Sequence, residues 1–290
     1  MVAISPPAKV LITGANSYLA TWVLKKYLEA GYSVRGTVRS LYKSAFLVDK
    51  FANYGDRFEL VVVEDITKDG AFDQAVMGVD AIAHTASPFH YKSNKADDLI
   101  IPAVRGTTSI LNSALKHGSN VKRVVLTSSF VAVFELTTVP HVFNESNWND
   151  ASVEAVKTKG SEDINTSQRE IYDTLTGART GAQLQRQGTW VNVAVVAEAH
   201  VRATHAVAAG GQRIVTSGPF FYQDFPELGI QNVSRGEPGS TKGLPFVINL
   251  ETKKAEELLG LTPATPLKDV VAESVEDFKA RGHPGFTAQV

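Results

Sequence analysis

The sequence contains no cysteine. That excludes disulfides, thiolate nucleophiles and thiolate metal ligands together. Zinc held by histidine and carboxylate would remain open, but there is no HExxH-type pair. His200 and His205 lie five residues apart and do not share a helix face well, so both read as surface or capping histidines. No apolar run approaches the roughly 18 residues a membrane span needs. The N-terminus, MVAISPPAKV, lacks the basic start and apolar segment of a secretion signal. Neither sign of charge is in excess: 29 Lys and Arg stand against 30 Asp and Glu. No like-charge block is long enough for a nucleic-acid arm or a polybasic membrane patch. The exclusions leave a cytoplasmic protein that handles a small molecule, with neither nucleic acid nor membrane as partner. At 290 residues it is long enough for a large buried core.

What is present begins with alternation. Lys9–Thr13 is a short apolar run ending at Gly14, and residues 17–30 carry Leu19, Val23, Leu24, Tyr27 and Leu28 at helical spacing before Gly31 stops the pattern. Ser33–Val38, Phe58–Val63, Ala81–Ala86 and Val121–Thr127 are further strand candidates, with helical stretches between them, the longest over Asp97–Lys116. Strands alternating with helices imply βαβ units, a parallel sheet and helices on both faces. Beyond Ser129 the pattern weakens. Leu136–Asp150 is polar and turn-rich, residues 151–176 read as a broken helix, and Gly188–Val193 and Arg213–Ser217 read as short strands. Val196–Ala208, Lys253–Leu259 and Pro266–Arg281 read as helices, with a Pro- and Gly-rich loop over 226–245. The expected fold is α/β: a Rossmann-type doubly wound parallel sheet over residues 1–160, and a smaller, partly irregular substrate region over 161–290 interleaved with it.

The strongest chemical signal is VLITGANSYLA, Val10–Ala20. A tight turn after the first strand brings backbone N–H groups to a pyrophosphate, and the following helix points its positive end at that anion. The usual three glycines are here Gly14, Ser17 and Ala20. Alanine serves at the third position, which governs helix–strand packing. Ser17 departs from the pattern: its Cβ would crowd the phosphate, or its hydroxyl would donate to it. The second strand ends in Thr37, Val38, Arg39 and Ser40, with no acid to take a free ribose 2′-hydroxyl. Arg39, with Lys43, instead suits the 2′-phosphate of NADP.

These strings, with GTVRS (36–40), EDIT (64–67), HTASPF (84–89) and RVVLTSS (123–129), resemble the extended short-chain dehydrogenases, in particular the dihydroflavonol reductase and fungal methylglyoxal/aldehyde reductase group. The resemblance is nearly continuous from Lys9 to about Asp150 and resumes in patches from Asn165. It implies NADPH-dependent reduction of an aldehyde or ketone. Gly14, Asn16, Ser17, Tyr18 and Leu19 would form the phosphate turn, and Arg39 and Lys43 the 2′-phosphate site. Asp65 would face the adenine, Thr85, Ala86 and Ser87 would line the nicotinamide side, Ile66 and Thr127 would be further cofactor-binding residues, and Ser129 would be the catalytic serine.

One family element is missing. Relatives carry a Tyr-x-x-x-Lys pair on the helix after the fifth strand, where one helical turn puts both side chains on one face and the Lys charge makes the phenol a better acid. Here Tyr172 is followed by Thr176, Tyr91 and Lys95 precede the fifth strand, and Tyr222 has no nearby Lys. A block of roughly 30 residues, the size of a βαβ piece, is absent between Gly160 and Asn165, and a shorter one near Phe225–Pro226. The chain either truly lacks the block or is an ordinary enzyme whose sequence as read omits it. Three functions stay open: a carbonyl reductase, a catalytically inactive NADPH-binding protein, and an NAD-dependent nucleotide-sugar epimerase or dehydratase, which Arg39 disfavours. The helix near Val196 is also expected to be under-capped, because Val195 stands where relatives place an Asp.

Overall fold

The computed structural model describes residues 2–87, 97–135, 137–159, 187–221, 239–262 and 267–280. In chain order the elements are β1 (Lys9–Ile12), α1 (Tyr18–Glu29), β2 (Ser33–Val38), α2 (Ala45–Lys50), β3 (Phe58–Val62), β4 (Ala81–His84), α3 (Asp97–His117), β5 (Arg123–Leu126), β6 (His141–Phe143), α4 (Asp150–Lys159), β7 (Gln187–Trp190), α5 (Val193–His205), β8 (Gly218–Phe221), β9 (Ile248–Leu250), α6 (Lys253–Leu259) and α7 (Leu267–Ala280). The first five strands form one parallel sheet in the order β3-β2-β1-β4-β5, with Val10 opposite Val34 on one side and Ala81 on the other. The chain is an α/β protein with a Rossmann-type sheet.

Strand periodicity divides the core in two. Val10 and Ile12 point to one face, where they meet Val23, Leu24 and Tyr27 of α1. Leu11 points to the other, among Phe72, Val76, Ile82 and Ile110. β1 and β4 are therefore buried on both faces, as parallel strands between helical layers are. α5 belongs to this body: its Ala197 and Val201 join the α1 face of the core, and the Tyr27 hydroxyl donates to the His200 carbonyl at 2.9 Å. Burial pushes the Tyr27 phenol far up, so it stays a neutral donor. The remainder consists of a parallel pair, β6–β9, an antiparallel pair, β7–β8, and small clusters such as Val133, Phe143, Val215 and Leu250.

Several sequence expectations change. The strand expected over Arg213–Ser217 is irregular chain without a ladder, and the strand lies at Gly218–Phe221. Side chains fix that stretch instead: Glu145 accepts from the Val215 amide at 2.9 Å, and Arg213 donates to the Glu145 and Asn147 carbonyls while lying 3.6 Å from the Trp148 ring centre. The turn-rich segment 136–150 contains β6. α5 starts at Val193, three residues before the expected position, and is properly capped: the Asn192 side chain accepts from the Ala194 amide at 2.7 Å. Val195 lies inside the first turn, so the expected capping deficit is overturned. His200 is 5% exposed and doubly hydrogen-bonded, not a surface residue, whereas His205 is exposed beside Ser5. Among the described residues no helix is long and apolar enough to cross a membrane.

Candidate functional site

The crevice outside the carboxyl ends of β1 and β4 is where chain direction switches and where ligands of open α/β sheets bind. Gly14 turns the chain there at φ +67°, and a Cβ on it would meet Ala86 Cβ at 3.2 Å. The turn is tied to β2 by Thr37, whose hydroxyl accepts from the Gly14 amide at 3.0 Å and whose carbonyl accepts from Ala15 at 2.8 Å. Ala15 fits only because residue 36 is glycine: a Cβ there would stand 2.7 Å from Ala15 Cβ. Ser17 is the N-cap of α1, its hydroxyl oxygen accepting from Ala20. Ser17 therefore turns its oxygen into the helix end and leaves its proton outward. Asn16, Ser17 and Tyr18 are exposed, Leu19 is half-buried and Ala20 is buried against the sheet. The first turn of α1 has no acid, so nothing there neutralises the positive helix end.

Arg39, just past β2, and Lys43 are exposed and make no hydrogen bond or ion pair among the described residues. On the far side, Asp65 receives the Thr67 hydroxyl at 2.7 Å and amide at 2.9 Å on one oxygen, and these bonds hold its carboxyl below the usual range. Ile66 is seated against α3 at Gly106, where a Cβ would come within 2.8 Å of its side chain.

A hydrogen-bonded chain then runs across the strand ends. Thr13 Oγ1 accepts from the Thr85 and Ala86 amides, both at 3.0 Å, and lies 2.9 Å from His84 Nδ1. Two amides fill the acceptor capacity of that hydroxyl, so its proton goes to Nδ1 and His84 is neutral with its proton on Nε2. Burial agrees, depressing the His84 pKa to about 4. The His84 carbonyl accepts from the Thr127 amide at 3.0 Å, and Thr127 Oγ1 lies 2.7 Å from His200 Nε2. His200 Nδ1 lies 2.7 Å from the Val196 carbonyl, which can only accept. The segments holding Thr85–Ser87 and Thr127–Ser129 are thus cross-linked to β1 and α5.

Ser129 is exposed and caps a short helical turn, its oxygen accepting from Val131. Beside it, the outer edge of β5 has no strand partner among the described residues, and a cavity of about 1380 Å³ follows that edge from Lys122 to Ser129. Trp22, Trp148 and Trp190, the only tryptophans in the chain, all line it, together with Thr127 and His200. No Tyr–Lys pair stands by Ser129 among the described residues. Tyr91, Lys95, Tyr172, Thr176 and Tyr222 lie outside them.

Sequence reasoning missed Thr13, Gly36, Thr37, His84 and His200 as parts of the site. A glycine inside a strand, as at 36, is a recognisable sign of close backbone approach. The histidines left no such signal, because their partners lie 71 and 73 residues away.

Fold and crevice define a Rossmann-type dinucleotide-binding protein. Residues 10–153 match the NAD dependent epimerase/dehydratase family. The chain is 30% identical to the NADPH-dependent methylglyoxal reductase GRE2 of Saccharomyces cerevisiae, an alignment taking in 87% of this chain and 92% of that protein. It runs over 321 positions, more than the 290 residues here, so the relative carries stretches with no counterpart in this chain. Aldehyde reductase 2 of Sporidiobolus salmonicolor is 44% identical over 154 residues, 51% of this chain; the match spans under half, 44%, of that protein's length. The crystal structure of Gre2 from Candida albicans in complex with NADPH superposes with a TM-score of 0.78 at 26% identity, covering 96% of this chain and 100% of that one. The chain belongs to the extended short-chain dehydrogenase, or epimerase/dehydratase, family.

Proposed function

We propose that this protein is an NADPH-dependent reductase of small aldehydes or ketones. The observation that carries the reading is the crevice: a left-handed Gly14 turn feeding an uncompensated helix N-terminus, flanked by two cations, Arg39 and Lys43, with no partner of their own among the described residues. That donor set suits a pyrophosphate and a 2′-phosphate. Relatives named as NADPH-dependent reductases support the same reading.

NADPH supplies the hydride when bound. The chain's own residues do the rest. Gly14 and Asn16–Leu19 receive the pyrophosphate, Arg39 and Lys43 the 2′-phosphate, and Asp65 and Ile66 flank the adenine. Thr85–Ser87 and Thr127 border the nicotinamide end, and the Ser129 hydroxyl donates to the substrate carbonyl oxygen and orients it. Residues 161–290 complete the substrate side.

One observation favours a second reading, an NADPH-binding protein without turnover: Ser129 has no phenol–ammonium partner among the described residues to deliver the proton. General acid catalysis supplies about 10²–10⁴-fold. Single-turnover NADPH oxidation with methylglyoxal and aryl aldehydes, on protein of verified mass, decides between them. The reductase reading expects oxidation that Ser129→Ala removes, slower than the ordinary ~10 s⁻¹ by that factor. Binding without any oxidation would establish the second reading. Loss of residual turnover in Tyr172→Phe would identify the acid.

A further inference from the structure

Two buried histidines, His84 and His200, each bond a threonine hydroxyl at the strand ends, His84 that of the buried Thr13 and His200 that of Thr127. Each ring accepts its threonine's hydroxyl proton, but the two do so on opposite nitrogens. Thr13 accepts twice and gives its proton to His84 Nδ1, so His84 carries its own on Nε2. His200 is the reverse. Its Nδ1 faces the Val196 carbonyl at 2.7 Å, so Nδ1 carries the proton. Burial keeps the ring neutral, so Nε2 holds a lone pair and takes the Thr127 hydroxyl proton across 2.7 Å.

Thr127 and His200 both line the cavity along β5. A hydroxyl whose proton is fixed on His200 shows the cavity lone pairs and nothing else. We infer that His200 is a positioning residue that makes Thr127 an obligate hydrogen-bond acceptor, so that this point of the site recognises a donor group of the bound molecule, a ribose hydroxyl or a primary amide, and rejects a carbonyl oxygen. The division of labour follows: Ser129, whose oxygen accepts from Val131 and whose proton has no acceptor among the described residues, is the hydroxyl left to hold a substrate carbonyl. His84 performs the corresponding service for Thr13, but spends it inside the protein, fixing the amides of Thr85 and Ala86.

The inference rests on the dinucleotide reading of the crevice, and its test has two arms. Long-range proton–nitrogen correlation spectra of the ¹⁵N-labelled chain, at neutral pH and without ligand, read each ring's tautomer. The expected result is Nδ1–H for His200 and Nε2–H for His84. Nε2–H or a doubly protonated ring at His200 would overturn the inference whatever the protein binds. The second arm is fluorescence titration with NADP⁺ and NADPH. His200→Leu and Thr127→Val should each weaken binding about tenfold, the loss of one hydrogen bond, with no further loss when combined. His200→Gln, which restores an acceptor near Nε2, should recover most of it, a rescue that mere space-filling would not give. His200→Leu or Thr127→Val binding like the wild type would contradict the assignment. Should His200→Leu fail to fold, Thr127→Val carries this arm. Wild-type protein that binds neither cofactor would overturn the dinucleotide reading, with the spectra still deciding the histidine protons.

Discussion

The crevice at β1–β4 and the outer edge of β5 lie on the same sheet and are built to different standards. In the crevice every strand is paired on both sides, Thr13 is fully buried, and each turn is tied back by a named bond. At β5 the ladder stops among the described residues, Leu126 is 47% exposed and a large cavity follows the edge. Cofactor binding and proton delivery are therefore separable by construction. Binding is assembled locally, from one strand–turn–helix unit and its neighbours. The resemblance read from the sequence draws its proton donor from the chain after β5, and no Tyr–Lys pair stands by Ser129 among the described residues.

The largest expected break of this contrast comes from acid. His84 stays neutral in the folded chain down to about pH 4, whereas in the unfolded chain it takes a proton near 6.5. Between those values the unfolded state binds more protons, so stability falls as pH drops through that window. The loss amounts to about 3 kcal/mol, complete below pH 4. His200, also depressed by burial, adds in the same direction. Thermal melts from pH 7 to 4 should show a smaller decline for His84→Asn, which keeps an acceptor for Thr13 but does not titrate. Equal slopes would mean that protonation of the buried His84 is not what destabilises the fold in that window.

Next comes the cation pair. Arg39→Asp removes a charge-assisted contact worth roughly 1.5–3 kcal/mol, or about tenfold to 150-fold in affinity, and should reverse the preference between NADPH and NADH. Competitive titration with both nucleotides reads it. Gly36→Ala should follow, since the added Cβ would stand 2.7 Å from Ala15 and push the phosphate turn away from β2. Overpacking of this kind costs about 1–3 kcal/mol, visible as a lower melting temperature together with weaker NADPH binding. The smallest effect belongs to the C-terminal region: Asn192→Ala removes the cap of α5 and should cost about 1 kcal/mol in a denaturant titration.

Legibility in the sequence followed the same divide. Ser33–Val38 was readable to the residue, and the strands β1, β3, β4 and β5 to within two at each end, because each is a short stretch with apolar positions bounded by Gly, Asp or Ser. The Gly14 turn was legible because a tight βα turn after the first strand calls for a positive φ. Arg213–Ser217 was misread because its alternation reflects anchoring by Glu145 and packing on Trp148, which mimic a strand's pattern without a ladder. The start of α5 was misplaced because the cap was sought at Val195, where relatives place an Asp, whereas the Asn192 side chain caps the helix three residues earlier. The Thr–His pairs were invisible, since no local pattern joins residues more than seventy positions apart.

The most direct test of the central claim, that the crevice at β1–β4 binds NADPH in preference to NADH whether or not the chain turns substrate over, is an equilibrium titration of the wild-type protein with NADPH and NADH side by side. Tighter binding of NADPH by about tenfold or more is expected from Arg39 and Lys43, which have no partner among the described residues. Equal affinities, or no binding of either, would contradict it.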